Sequence, residues 1–497
     1  MQSKIKEALT LFKFGSYDEV IKICKKEIDN NTKDPNIFHL LAFIYFSKND
    51  YKNATIFWNK TLEIDKNFVE AYNGLGNVQF KSKNFDESLK NFQKALNIQP
   101  NHNEVLCNLG NVLNTLKKYS ESIKYFDLAL KISLTFDKAL YGKGFALLKL
   151  KNYHEALSYF KKINIKNFNQ ANLFNYIGIC FNHLKNFENA VENYSKCLEL
   201  DKFHENAVGN LLNLLTYYTP KKNYNNLIVG INSKLKDKNY NLNIDNKLDD
   251  ESLVNTISKI YKLVDNDYFK NFKPVQIFRR NKMKYDCDRH FKVFNSFNVI
   301  PEFCFGCYKI QFNLRNILDL FKLYLIFNNL NLLKRFFKKT IVEIRPNISG
   351  SYKGFIYCSS ATEANSILHE IKPIIKKHFD KNIFNIVKRG CTEYAMEYNN
   401  FDKTDEQVKY NPDWKEKENI IDKKNDDTSD GVYEYSLNEM NINDALALRN
   451  WIIYAKKIND QKIKLFKLEI NETKKMKELL FNQLDYRRQE YLKQNIN

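Results

Sequence analysis

Four columns of residues recur every 34 positions through the first two hundred residues, and so strict a period admits few folds. Small residues stand at Ala8, Ala42, Gly76, Gly110, Gly144 and Gly178, and aromatic rings at Tyr17, Tyr51, Phe85, Tyr119, Tyr153 and Phe187. A third column runs Val20, Ala54, Ser88, Ser122, Ala156, Ala190, and a fourth runs Cys24, Trp58, Phe92, Phe126, Phe160, Tyr194. Four columns held over six copies exclude chance. They predict one supersecondary unit stacked on itself, each copy burying its apolar face on the next. Small side chains let two helices approach closely, and the bulky column fills the gap between neighbouring units.

The clearest copy, "AYNGLGNVQFKSKNFDESLKNFQKALNIQP", carries Tyr72, Leu75, Gly76, Ser88, Phe92, Ala95 and Pro100. On these positions the chain resembles the tetratricopeptide repeat (TPR) family over residues 1–240. The resemblance implies an α-solenoid of antiparallel helix pairs, with six units over 1–202 and a degenerate capping unit over 203–240. It also implies a concave wall, made by the first helix of each unit, that receives a peptide or protein segment. The carboxylate clamp of chaperone-binding members needs Lys at the fifth position and Asn at the ninth. The pairs here are Ile5 and Leu9, His39 and Phe43, Asn73 and Asn77, Cys107 and Asn111, Tyr141 and Phe145, and Asn175 and Ile179, so no unit carries the clamp. The units around "CNLGNVLNTLKKYSESIKYFDLALKI" are similar to those of O-GlcNAc transferase, whose Asn ladder binds peptide backbone, but only Asn108 occupies that rung. Asn73, Asn77, Asn108, Asn111 and Asn114 are the candidate peptide-binding groove, since each amide offers a donor and an acceptor. The alternative is that they are solvated amides in an Asn-rich chain.

After the polar joint "DKNYNLNIDNKLDDE" the pattern changes. Residues 251–400 read as a basic, cysteine-rich α+β domain: 261–400 hold 24 basic and 12 acidic side chains, more than half of the chain's net +20. From Cys307 onward the order is strand, helix, strand, strand, helix, strand, a ferredoxin-like arrangement that predicts an antiparallel sheet with two helices on one face. The RNA-recognition motif shares that order, and "YKGFIYCS" resembles its RNP1 strand, with Lys353, Gly354, Phe355 and Tyr357 at matching positions. Over 307–395 this resemblance implies nucleic-acid binding, with Lys353, Phe355 and Tyr357 as contacts, aromatic rings stacking on bases, and the neighbouring clusters "RRNKMK", "KRFFKK" and "KRG" placed to hold phosphates. Ile356 and Ser360 depart from the motif, and "CYKIQF" puts Tyr308, Ile310 and Phe312 on one face as a core-facing set would. A β-hairpin packed on helices or on the repeat array is the alternative.

Five of nine cysteines fall between 287 and 391. Cys287 and His290 form a Cys-x2-His pair, and Cys304 and Cys307 a Cys-x2-Cys pair with Gly306 in the turn, spacings that fit a structural zinc site. Zinc is the expected cofactor if any is held; an iron–sulfur cluster or ordinary buried thiols are the alternatives. Cys391 beside Arg389 has an electropositive setting, yet no partner base identifies it as a nucleophile.

Residues 402–436 read as a polar linker and 438–497 as a helical tail with Trp451 on its apolar stripe. A hydrophobic fraction of 43%, with 14 Gly and 8 Pro, predicts a folded, mainly α protein. No run is apolar enough to span a membrane, and the charged start "MQSKIKEALTLFKFGSYDEV" lacks a signal-peptide core, so a cytoplasmic location is expected. The expected function is a TPR scaffold binding a peptide or protein. RNA binding by the middle domain is the alternative, and an enzyme using the cysteine-rich region a third, without a legible mechanism.

Overall fold

A computed structural model describes residues 7–8, 10–12, 14–164, 170–236, 240, 244, 246–269, 272, 274–279, 287–345, 348–380, 383–391, 393–401, 408–425, 439–470, 486, 488 and 489. The chain divides into two compact units, Met1–Leu184 and Lys185–Asn497.

The first unit is a series of helix pairs. Its described helices are α1 (Tyr17–Asp29), α2 (Pro35–Ser47), α3 (Tyr51–Ile64), α4 (Val69–Lys81), α5 (Phe85–Ile98), α6 (Asn103–Thr115), α7 (Tyr119–Ile132), α8 (Asp137–Lys149), α9 (Tyr153–Phe160) and α10 (Gln170–His183). Asp34 starts α2 by accepting from the Asn36 amide, with Pro35 in the first turn, and Asp50 starts α3 by accepting from the Asn53 amide. The recurring columns account for the packing. A Cβ added to Gly76 would meet the Phe92 ring at 2.5 Å, one on Gly110 the Phe126 ring at 2.8 Å, and one on Gly144 the Phe160 ring at 2.6 Å. The same rings reach into neighbouring pairs: a Cβ on Gly74 would fall 2.2 Å from Trp58, and one on Gly142 would fall 2.3 Å from Phe126. The Phe126 ring is thus gripped by its own repeat and the next, which joins neighbouring units into one array.

Each pair turns through a residue with left-handed backbone: Asn49, Lys83, Lys117 and Lys151, with φ of 60–62° and again 34 apart. The amides of Asp50, Asn84, Lys118 and Asn152 donate back to the carbonyls of Tyr45, Gln79, Leu113 and Leu147, at 2.8–2.9 Å. This is the Schellman closure of a helix, made here without glycine.

The second unit carries α11 (Phe187–Leu200), α12 (Glu205–Leu214), α13 (Leu227–Lys234) and α14 (Asp250–Val264), then β1 (Gln276–Arg279), α15 (Cys287–Phe297), α16 (Glu302–Phe305), β2 (Tyr308–Leu314), α17 (Ile317–Asn329), β3 (Phe337–Val342), β4 (Tyr352–Cys358), α18 (Ala361–His378), β5 (Phe384–Arg389), α19 (Trp414–Asn425) and α20 (Ile442–Lys457). Among the described residues the strands form an antiparallel sheet in the order β1-β3-β4-β2-β5. Helix α17 sits so close to β4 that a Cβ on Gly354 would lie 2.2 Å from Leu323, and the Phe312 and Phe327 rings meet at 5.9 Å. The α+β reading of 307–395 matches this order, with β1 as an additional edge strand.

The helical C-terminal region packs into the body of the second unit. Helix α20 is buried along nearly its whole length. Trp451 donates its indole N–H to the Val275 carbonyl at 2.8 Å, Arg449 donates to the Val264, Phe269 and Phe272 carbonyls, and Arg279 pairs with Asp444 at 2.5 and 3.0 Å. It is therefore part of the same core as the sheet. Part of the segment read as a linker is likewise helical: α19 is held by Arg289, which bonds Glu418 at 2.7 Å and Asp422 at 2.8 Å. Charges that looked like solvated linker are half of an ion-pair network.

Candidate functional site

In the repeat unit, the fifth and ninth positions of successive first helices place Asn73 and Asn77 on α4, Asn111 on α6, and Tyr141 and Phe145 on α8, all half-buried. The Asn108 amide donates to the Asn73 side-chain carbonyl at 2.9 Å, tying α6 to α4. Beyond the amides the wall turns aromatic, with Tyr176 5.8 Å from Tyr141 and 5.4 Å from Phe145. Asn114 belongs elsewhere. It is buried, donates to the Gly142 carbonyl at 3.1 Å and accepts from Ser122 at 2.6 Å, so it serves the packing between helices rather than the groove.

In the second unit, strand alternation divides the sheet into two faces. Ile310, Phe312, Gly354 and Ile356 turn toward the helices. Lys309 and Gln311 of β2, Lys339 of β3, Lys353, Phe355 and Tyr357 of β4, and Lys388 of β5 turn the other way and line a cavity of 620 Å³. Its wall also includes Cys287 and Phe291 of α15, Cys307, and Glu343, Arg345, Ile348 and Ser349 of the β3–β4 loop. Phe355 is only 4% exposed, and the Lys309 and Lys339 ammoniums stand 5.1 and 5.4 Å from its ring centroid. Lys353 is buried and paired with Glu343 at 3.3 Å. Burial disfavours the Glu343 charge, but hydrogen bonds and ion pairs with Arg345 and Lys353 outweigh it and bring the carboxyl down to about 2.

The tetratricopeptide repeat family matches residues 67–135, 137–163 and 173–204. The matched span is a tetratricopeptide-repeat segment. No curated protein matches the chain. Among solved structures it is similar to YrrB, described as a TPR protein with an unusual peptide-binding site, with 26% identity over 37% of this chain and 96% of that one and a TM-score of 0.32. It is similar to pilF of Pseudomonas aeruginosa at 17% identity over 42% and 95%, TM-score 0.39, and to a thermophilic TPR protein of Thermus thermophilus, TTC0263, at 13% over 37% and 99%, TM-score 0.31. Tetratricopeptide repeats support a protein-interaction role. Among the described residues no helix is long and apolar enough to cross a membrane.

Outside the TPR segment, Cys287 and Cys307 line one cavity with Cys391, and Cys304 lies beside Cys391 and Cys307. Among the described residues no three His, Cys, Asp or Glu side chains are grouped to hold an ion. Cys287 is exposed on α15, and the His290 ring, three residues on, is buried against Phe303 at 5.2 Å. Cys304 turns instead to the Tyr394 hydroxyl at 3.7 Å and to Cys391. The hydrogen bond with Cys391 and burial push the Cys304 thiol far up, and burial does the same to Cys307, the opposite of what a nucleophilic thiolate needs.

The expected stacking platform is also altered. Lys353, Phe355 and Tyr357 share the free face as the strand pattern required, but the ring of Phe355 lies beneath two ammoniums and inside a cavity wall. Sequence reasoning missed Lys309 as a neighbour of these residues, whereas Lys339 and Lys388 lie in the basic clusters "KRFFKK" and "KRG". The alternation of basic and apolar residues in "YKIQF", "FKKTIV" and "NIVKR" was the available signal.

Proposed function

We infer that the chain is a protein-interaction scaffold whose TPR segment binds an extended peptide along α4, α6 and α8. The observation that carries this reading is the run of half-buried amides Asn73, Asn77 and Asn111 leading into Tyr141 and Phe145, with Asn73 oriented by Asn108. Amides so placed can pair with the donor and acceptor of a peptide backbone irrespective of sequence, and the adjoining rings would select an apolar or aromatic side chain further along. Orientation by Asn108 lowers the entropy lost when a ligand engages Asn73. The two functions, affinity and selectivity, thus fall on different repeats.

Peptides selected on the full chain from a random display library test this. Amide hydrogen exchange with and without a selected peptide should show protection concentrated in residues 69–149. Protection confined to other residues would refute groove binding.

A further inference from the structure

Two rows of side chains cross the free face of the sheet in register. One runs Phe278, Lys339, Phe355, Gln311 and Ile386, and the next runs Phe337, Tyr357, Lys309 and Lys388. In the first row Lys339 stands between two rings, and in the second two rings are followed by two ammoniums. Lys339 lies 5.5 Å from the Phe278 ring as well as above Phe355, and the Phe337 and Tyr357 rings meet edge-on at 5.1 Å.

Charge in this wall is one-sided. Five of the described lining residues are cationic and one, Glu343, is anionic. Glu343 is bound to both Lys353 and Arg345, at 3.3 and 2.9 Å. Lys309 and Lys353 are buried in the unit, although burying a cation is costly unless something compensates it. The Lys309 ammonium donates to the Gly390 carbonyl, which holds it in the wall between β2 and β5. A cavity of 620 Å³ is within the usual range for small-molecule sites and is bounded by α15 and the β3–β4 loop as well as by the strands.

We propose that this cavity binds a small phosphate ester with a flat aromatic body, of the size and chemistry of a nucleoside monophosphate. The excess of positive charge suits a doubly charged phosphate better than a single carboxylate. The half-buried rings of Phe337 and Tyr357 suit a planar body, which would pack against them while the phosphate meets Lys339 and Lys388. The site belongs to the second unit and does not depend on the repeat groove.

Calorimetric titration of the full chain with AMP tests the proposal, with inorganic phosphate, adenosine and a short single-stranded RNA as separate arms. AMP should bind one to one and about tenfold or more tighter than phosphate or adenosine. Lys388→Gln, on the half-exposed edge strand, and Lys339→Gln should each weaken AMP by about tenfold with an unchanged thermal midpoint. Tyr357→Leu should weaken AMP while leaving phosphate binding as it was. AMP binding no tighter than phosphate, AMP binding indifferent to all three substitutions, or RNA binding without AMP binding would each overturn the proposal.

Discussion

Asn108 donates its side-chain amide to the carbonyl oxygen of Asn73, 2.9 Å away on the preceding repeat, so side chains of two successive repeats act as one unit. Asn108→Ala should cost at most about 1 kcal/mol of stability, as for a half-buried neutral hydrogen bond. It should weaken a groove-bound peptide more, by about three- to tenfold, because Asn73 loses its orientation. Urea unfolding and peptide titration on the same preparation separate the two.

The grip of Gly142 on Phe126 makes a second test. A Cβ there would lie 2.3 Å from a fully buried ring. Gly142→Ala should destabilise the array by about 1–3 kcal/mol through overpacking. Gly209 in α12 has nothing within 4 Å of its added Cβ, and Gly209→Ala should stabilise by about 0.5–1 kcal/mol from helix propensity alone. Opposite signs in chemical denaturation are the expected result.

Lys338 is buried on the helix-facing side of β3, where its ammonium donates to the Phe327 carbonyl at 2.6 Å. Burial, with Arg279 and Lys334 nearby, brings its pKa down to about 7. Between that value and the ordinary 10.5 the unfolded chain holds a proton that the folded chain sheds, so this residue makes stability rise with pH across the window. Lys338→Met should therefore stabilise more at pH 6 than at pH 9, by a difference on the order of 1–3 kcal/mol. Thermal melts at the two pH values measure it.

Glu188 in α11 shifts in the same direction for the opposite reason, because the fold favours its charged form. Burial disfavours its charge, but hydrogen bonds from the Tyr218 and Tyr224 hydroxyls and the Lys221 and Lys222 amides bring the carboxyl down from 4.5 to about 2. The stabilisation is complete above the unfolded value and is lost as pH falls toward 2. Glu188→Gln should cost about 1 kcal/mol at pH 7 after solvent screening, and the gap from wild type should narrow between about pH 5 and pH 2.

Much of this was readable from residue order because the physics was local. The Gly76, Gly110 and Gly144 column and the Phe92, Phe126 and Phe160 column interlock as their 34-residue spacing required, and strand alternation placed Lys353, Phe355 and Tyr357 on one face. Other features depend on distant partners. The left-handed turns at Lys83, Lys117 and Lys151 carry no glycine to announce them. Helix α20 contains Arg449 and Asn450, which look like solvent-facing positions until the carbonyls of Val264, Phe269, Phe272 and Pro274 supply their hydrogen bonds. The Cys287, His290, Cys304 and Cys307 spacing suggested a shared ion. In the fold Cys304 meets Cys391 and Tyr394, neighbours that no spacing rule encodes.

The most direct test of the scaffold reading is the affinity of selected peptides for the wild-type chain and for the Asn77→Ala/Asn111→Ala double variant. Both side chains are half-buried on the groove wall, and removing them should leave the unfolding midpoint nearly unchanged. Affinity should fall by about tenfold or more, with the loss in the dissociation rate. Equal affinity for the two proteins would contradict the scaffold reading.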